Sequence, residues 1–229
     1  MVEAKHGLHQ SLLKALQIDR VEVFGPTDNQ LPVSEPEDAA VPQIGFVGRD
    51  YRPGGDVLFG INPGGGGDSY KRTPEDLRLL PMIAALRNQE ASLDAINTVF
   101  DQYAENMRTW NLWRIVEPVL CACRRSQSEI AYLNWCPFRT RKDAMPHIRP
   151  MLRCRELYLA PLIANLAPGR IIALGKKVGG LLERKPFGDI PGFVVPRTNG
   201  DTYLSTAARK ALEEIRARSP YRQLQRDPR

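Results

Sequence analysis

The stretch Val57-Leu58-Phe59-Gly60-Ile61-Asn62-Pro63-Gly64-Gly65-Gly66-Gly67-Asp68-Ser69-Tyr70 decides how the rest of the sequence is read. Val57 to Ile61 is short and apolar throughout and follows Gly54-Gly55, the pattern of a strand buried on both faces. Such strands belong to parallel sheets covered by helices. The chain passes from it into a polar, glycine-packed loop, and the rigid Pro63 ring fixes how Asn62 leaves the strand. Consecutive glycines let the backbone approach a ligand closely and offer several main-chain N–H donors, which is the physics of cradling a phosphate or a base. The phosphate-loop pattern fails, because no Gly-Lys-Ser/Thr follows and no GxGxxG opens a helix.

Outward from this stretch, Ile130 to Asn134, Arg170 to Leu174 and Gly192 to Val195 repeat the short apolar signal of a strand. Helical patterns fill the intervals. One opens at Thr73-Pro74-Glu75, with Thr73 as N-cap and Pro74 at the first helical position; the others run Ala91 to Tyr103, Leu112 to Cys123, Arg153 to Leu166, Lys176 to Arg184 and Thr202 to Arg218. The alternation predicts an α/β fold, a three-layer α/β/α arrangement around a central, mainly parallel four-stranded sheet. Upstream, Leu8 to Ile18 reads as an amphipathic helix, Val21 to Phe24 as a short edge strand stopped by Gly25-Pro26, and Thr27 to Val41 as a surface loop. The expected organisation is one domain over residues 1–229, with the helix and an acidic, proline-rich loop in 1–50 and a basic tail in 219–229.

Among 229 residues, 42% are apolar and 25% charged, which excludes disordered and collagen-like classes. No apolar run approaches the roughly 20 residues of a bilayer span, and Met1 to Asp19 lacks the apolar segment of a secretory signal, so the expectation is a cytoplasmic or nucleoid-associated monomer without a membrane partner. Lysine and arginine number 32 against 26 acidic residues, a net charge of +6 that favours polyanionic partners. The excess concentrates in Arg139 to Arg155 and from Arg209 onward. Cys121, Cys123, Cys136 and Cys154 are separated by one, twelve and seventeen residues, spacings of neither a zinc site nor a disulfide framework. The histidines, His6, His9 and His147, form no metal-binding pair. Neither metal nor cofactor is expected.

The second strand ends in Leu133-Asn134-Trp135-Cys136-Pro137-Phe138-Arg139-Thr140-Arg141. An asparagine at the end of a buried strand must satisfy its amide, either against a neighbouring loop or against a ligand. A carboxamide also offers a donor beside an acceptor, the pattern that meets the O4 and N3–H of uracil; cytosine has an amine where O4 would be. Both readings of Asn134, brace and reader, stand at this point.

Gly60-Ile61-Asn62-Pro63-Gly64 and Asn134-Trp135-Cys136-Pro137-Phe138, in this order and each at a strand end, resemble motifs of the uracil-DNA glycosylase superfamily. The first is similar to the Gly-x-Asn-Pro-Gly of its mismatch-specific and single-strand-selective branches, the second to the Asn-His-Cys-Pro-Leu of the latter. Ala173-Leu174-Gly175-Lys176-Lys177 is similar to its third strand and following helix, and the resemblance extends over most of Asp56 to Arg218. It implies excision of uracil or a related deaminated base from DNA, with no cofactor. By the same resemblance Asn62 holds the attacking water, Asn134 reads the flipped base, backbone amides around Pro63, Gly64 and Gly65 receive a base oxygen, and Tyr70 or Phe138 stacks on the ring. Arg139, Arg141 and Lys142 would contact DNA phosphates.

The superfamily's last motif, a His-Pro-Ser type segment after the fourth strand, has no counterpart. Val195-Pro196-Arg197-Thr198-Asn199-Gly200-Asp201 stands there without a histidine. Arg197, Thr198 and Asn199 are the candidates in that loop, Arg197 to stabilise charge on the base and Asn199 to donate a hydrogen bond. Alternatively, Asn199-Gly200 is a turn and Asp201 or Thr202 caps the last helix. The missing histidine keeps a rival open, a superfamily member without catalysis that binds nucleic acid or nucleotide. An unrelated α/β enzyme acting on small nucleosides is a third reading.

Overall fold

The computed structural model describes residues 2–26, 29–64, 68–70, 72–87 and 91–219, the side chains of 2–6 and 199 excepted. The strands are β1 (Gly45–Val47), β2 (Asp56–Gly60), β3 (Ala131–Asn134), β4 (Arg170–Leu174) and β5 (Gly192–Val195). They form one mixed sheet in the order β1-β3-β2-β4-β5, in which β1 runs antiparallel to β3 and the other pairings are parallel. The α/β class is as expected; the four-stranded sheet is corrected to five strands by an edge strand that the sequence hides. That strand has three residues and opens on Gly45, whose φ of +108° and closeness to the Tyr132 carbonyl leave no room for a Cβ. So short a run shows no alternation to read.

Every residue of β2, β3 and β4 is buried. Alternate strand residues face opposite sides, so both faces of the sheet centre are covered. The covering elements include α1 (Val2–Gln17), α3 (Asp76–Arg87), α4 (Leu93–Met107), α5 (Trp113–Cys123), α8 (Lys176–Arg184) and α9 (Thr206–Ala217). Phe59 of β2 packs on Trp135 and Phe187, with ring centroids 5.5 and 5.7 Å away.

Several boundaries differ from expectation for local reasons. Residues 21–24 lie in the helical turn α2 (Arg20–Phe24) rather than a strand. The Asp19 carboxylate accepts from the Val21 N–H at 2.6 Å, and Glu22 accepts from the Asp19 N–H at 3.3 Å. This capping box outweighs the β propensity of two valines and a phenylalanine. Helix α3 begins at Asp76, not at Thr73: the Asp76 carboxylate accepts from the Thr73 N–H at 2.8 Å, so the cap works from inside the helix backwards. The segment expected as one helix from Arg153 is α6 (Ile148–Cys154), a π-helical turn (Arg155–Leu159) and α7 (Ala160–Leu166). From that turn the buried Tyr158 hydroxyl donates to the Asn134 carbonyl, tying helix to strand end. Helix α9 is capped by Ser205, which accepts from the Ala208 N–H, and not by Asp201 or Thr202.

At the amino ends of the strands, register partners Asp56 and Arg170 form a buried bidentate pair, and Arg170 also donates to the Ile215 carbonyl of α9 at 3.0 Å. Among the described residues no helix is long and apolar enough to cross a membrane. Removing one partner of a buried pair leaves the other charge uncompensated. Asp56→Ala is therefore expected to destabilise the fold by about 3–5 kcal/mol in urea unfolding. The double variant Asp56→Leu/Arg170→Leu should lose less than Asp56→Ala does.

Candidate functional site

A cavity of about 360 Å³ opens at the carboxyl ends of the strands, where ligands bind in open α/β sheets. The chain segment after β2 supplies Asn62, Pro63 and Gly64; β3 supplies Tyr132 and Asn134; the loop after β3 supplies Arg139 and Asp143; and the segment after β5 supplies Arg197. Tyr103 of α4, with Trp110, Leu112 and Gln43, closes the wall. Register places Gly60 beside Asn134, so the two strand ends that carry the asparagines are neighbours.

Asn134 is completely buried, and each of its amide atoms is engaged. Its Nδ2 donates to the Gln43 carbonyl at 2.8 Å and to the Tyr103 hydroxyl at 3.0 Å, and its Oδ1 accepts from the Tyr132 hydroxyl at 3.0 Å. A backbone carbonyl only accepts, which fixes which end of the amide faces Gln43. Tyr132 and Asn134 are two apart on one strand and share a face. Gly60 is required here, because a Cβ on it would collide with the Tyr132 hydroxyl and crowd Asn134 Oδ1. Of the two sequence readings of Asn134, the structure displays the brace, placed at the cavity wall.

Asn62 is half-buried. Its Nδ2 donates to Thr140 Oγ1 at 3.1 Å and toward the Pro63 carbonyl at 3.3 Å. Thr140 spends its single hydroxyl hydrogen on the Ala144 carbonyl, so its oxygen can only accept from Asn62. The Thr140 oxygen thus fixes which end of the Asn62 amide faces it, and Asn62 Oδ1 accepts no hydrogen bond from the described residues. Lys142 and Asp143 both adopt left-handed backbone, with φ of 56° and 53°, in the turn that brings Asp143 to the cavity. Non-glycine residues persist there only when their surroundings hold them.

Arg197 reaches the cavity from the far side, its Nε 2.9 and 3.0 Å from the two carboxylate oxygens of the buried Asp201. Asn199 lies in the turn Asn199–Asp201, and Thr198 turns its hydroxyl to the Tyr203 carbonyl at 3.0 Å. Thr198 does not line the cavity, and the side chain of Asn199 lies outside the described residues.

Three expected roles are corrected. Arg139 is no open phosphate contact: it is 8% exposed and grips Asp76 through two hydrogen bonds of 2.7 and 2.8 Å. Its guanidinium also lies 4.6 Å over the Tyr70 ring, which covers that face of Tyr70 against stacking on a base. Phe138 is buried edge-on against Phe24 and does not line the cavity. By contrast, Arg141 and Lys142 reach the exposed Asp68 at 3.0 and 3.6 Å, and the next residue, Asp143, lines the cavity. Gly65 lies outside the described residues.

The aromatic wall consists instead of Tyr103, Tyr132 and Trp110, with Trp110 edge-on to Tyr103 at 5.3 Å. Tyr132 was missed, although strand alternation puts the residue two before Asn134 on the same face. Tyr103 and Trp110 carry no sequence signal that separates them from core residues. Among the described residues no cluster of histidine, cysteine, aspartate or glutamate could hold a metal ion. The chain matches no family model and no curated protein.

Burial pushes the phenols of Tyr70 and Tyr132 up to about 12 and that of Tyr103 well above its ordinary value. The unfolded chain ionises these groups near pH 10 while the folded protein holds them neutral. Their contribution to stability is full below pH 10 and lost as pH rises through the folded values. The urea midpoint should therefore fall steadily between about pH 10 and 12, with phenolate absorbance rising together with unfolding.

Proposed function

We propose that this chain is a monofunctional DNA glycosylase of the uracil-DNA glycosylase superfamily, hydrolysing the bond between deoxyribose and uracil or a related deaminated base. The observation that carries this reading is that Asn62 and Asn134, from the two motifs, line one cavity together with Arg197. The motif order, the strand-end placement and the parallel pairing of β2 with β3 support it.

In this reading the glycosidic bond breaks with its electron pair leaving on the base, and water adds to C1′, its proton passing to bulk water, which later protonates the released base anion. Positive charge develops on the sugar and negative charge on the base, so fixed dipoles and charges do most of the catalysis. Asn62 holds the water. With its Nδ2 committed to Thr140, the oxygen of its amide is the end that accepts from a water hydrogen. A carboxamide is not a base, so its contribution is positioning rather than proton removal. Arg197 takes the place of the absent histidine, its guanidinium facing the anionic base across the cavity while Asp201 keeps it in place. Arg141 and Lys142 meet the phosphate backbone beside the mouth.

The test is alkali cleavage of single- and double-stranded oligonucleotides that carry one uracil, hypoxanthine or xanthine. Strand breaks are expected with at least one base, and Asn62→Ala should slow them about 10²-fold or more. Binding at low salt with no break from any substrate would overturn the catalytic reading and leave a base-binding module. Separately, Arg141→Ala and Lys142→Ala should each lower the slope of log affinity against log salt by about 0.7–0.9.

A further inference from the structure

Resting on that reading, we infer that the hydroxyls of Tyr103 and Tyr132, rather than the Asn134 carboxamide, read the base, and that they select the lactam edge that deamination creates. Asn134 offers the cavity no spare hydrogen: one amide N–H goes to the Gln43 carbonyl and the other to Tyr103. What it does is polarise the two phenols that line the wall with it. Tyr103 accepts from Nδ2, so its own O–H hydrogen remains available to donate. Tyr132 gives its hydrogen to Oδ1, so its oxygen remains available to accept. Turning that hydrogen toward a ligand would leave the buried Oδ1 without its only described donor.

Each hydroxyl thus relays the polarity of the amide atom behind it, a donor at Tyr103 and an acceptor at Tyr132. Hydrogen bonds in such chains strengthen one another. Burial keeps both phenols protonated throughout the working pH range, so the pattern does not change sign. A donor beside an acceptor matches a carbonyl beside an N–H. Uracil presents O4 and N3–H in that arrangement, and hypoxanthine presents O6 and N1–H. Lying the same way round, with the exocyclic group against Tyr103, cytosine and adenine set an amine against the Tyr103 donor and a bare ring nitrogen against the Tyr132 acceptor. The ring centroids of Tyr103 and Tyr132 lie 6.3 Å apart, and Trp110 bounds the same wall. Asn134 is in this scheme a positioning residue.

The test measures binding of free uracil, hypoxanthine, cytosine and adenine to the full chain by equilibrium dialysis, for the wild type, Tyr103→Phe and Tyr132→Phe, beside cleavage of the oligonucleotide panel. The wild type should favour the lactam bases over the amine bases by at least about 10-fold, and each variant should collapse that ratio toward unity. A purely structural role would weaken all four bases together and leave the ratio intact, which would overturn the inference. So would equal binding of all four bases, or none, by the wild type. Should either variant fail to fold, N3-methyluracil on the wild type decides, since it lacks the N–H that Tyr132 accepts; binding as tight as that of uracil would overturn the inference. Cleavage separates the two claims. Breaks without tyrosine-dependent selectivity refute the relay and keep the glycosylase, whereas tyrosine-dependent selectivity without breaks keeps the relay and refutes the enzyme.

Discussion

A carboxamide shut away from water has two hydrogens and an oxygen to satisfy, and at Asn134 that requirement organises the surrounding chain. The Gln43 carbonyl, two residues before β1, takes one hydrogen; Tyr103, from the middle of α4, takes the other; Tyr132 supplies the oxygen's partner. The backbone of the same residue is held as well, its N–H by the Ile44 carbonyl at 2.9 Å and its carbonyl by Tyr158. Each of these groups would be a buried, unpaired polar atom without the others. The edge strand, a helix, the sheet centre and the π-helical turn are therefore mutually positioned by one side chain and its peptide. The cavity wall is the exposed side of that arrangement.

The run of positive charge after β3 separates into two fates within four residues. Arg139 turns inward, where Asp76 neutralises it, and Asp76 in turn caps α3 through the Thr73 N–H. Arg141 and Lys142 turn outward beside the exposed Asp68. Net charge counts these cations alike, but only the outward pair can exchange counterions with a polyanion. An inward arginine contributes to the shape of the loop and nothing to long-range attraction.

What the sequence made legible follows from how local each cause is. Strands β2 to β4 announced themselves because burial on both faces demands unbroken apolar runs, and the partly exposed edge strand β5 was short but still apolar; their ends pointed to the cavity because parallel sheets bind ligands there. Strand β1 did not, since Gly45 is dictated by its contact with Tyr132, far along the chain. The turn at Arg20–Phe24 replaces the expected strand because a cap made by Asp19 and Glu22 outweighs the apolar residues it encloses. In the site, Asn62, Pro63, Gly64, Asn134 and Arg197 were legible from strand-end position, and all line the cavity. Tyr70 and Phe138 stand near the motifs in sequence, but tertiary packing turns them away and puts Tyr103, Tyr132 and Trp110 at the cavity wall. Of the three only Tyr132 carried a local signal, two residues before Asn134 on one strand; nothing within a single segment marks Tyr103 or Trp110.

The π-helical turn at Arg155–Leu159 makes this part of the chain a counting device. A π turn holds one residue more than an α-helix needs for the same path. Losing a single residue there would restore ordinary helix over the same path, so the Leu162, Ile163 and Leu166 face would keep its neighbours, among them α1. Losing one outside the turn, where no bulge absorbs it, would rotate everything beyond by about 100°. In descendants of this sequence a one-residue deletion should therefore be tolerated at this turn sooner than elsewhere along α6 and α7, with the Tyr158 tie to the end of β3 as what is given up.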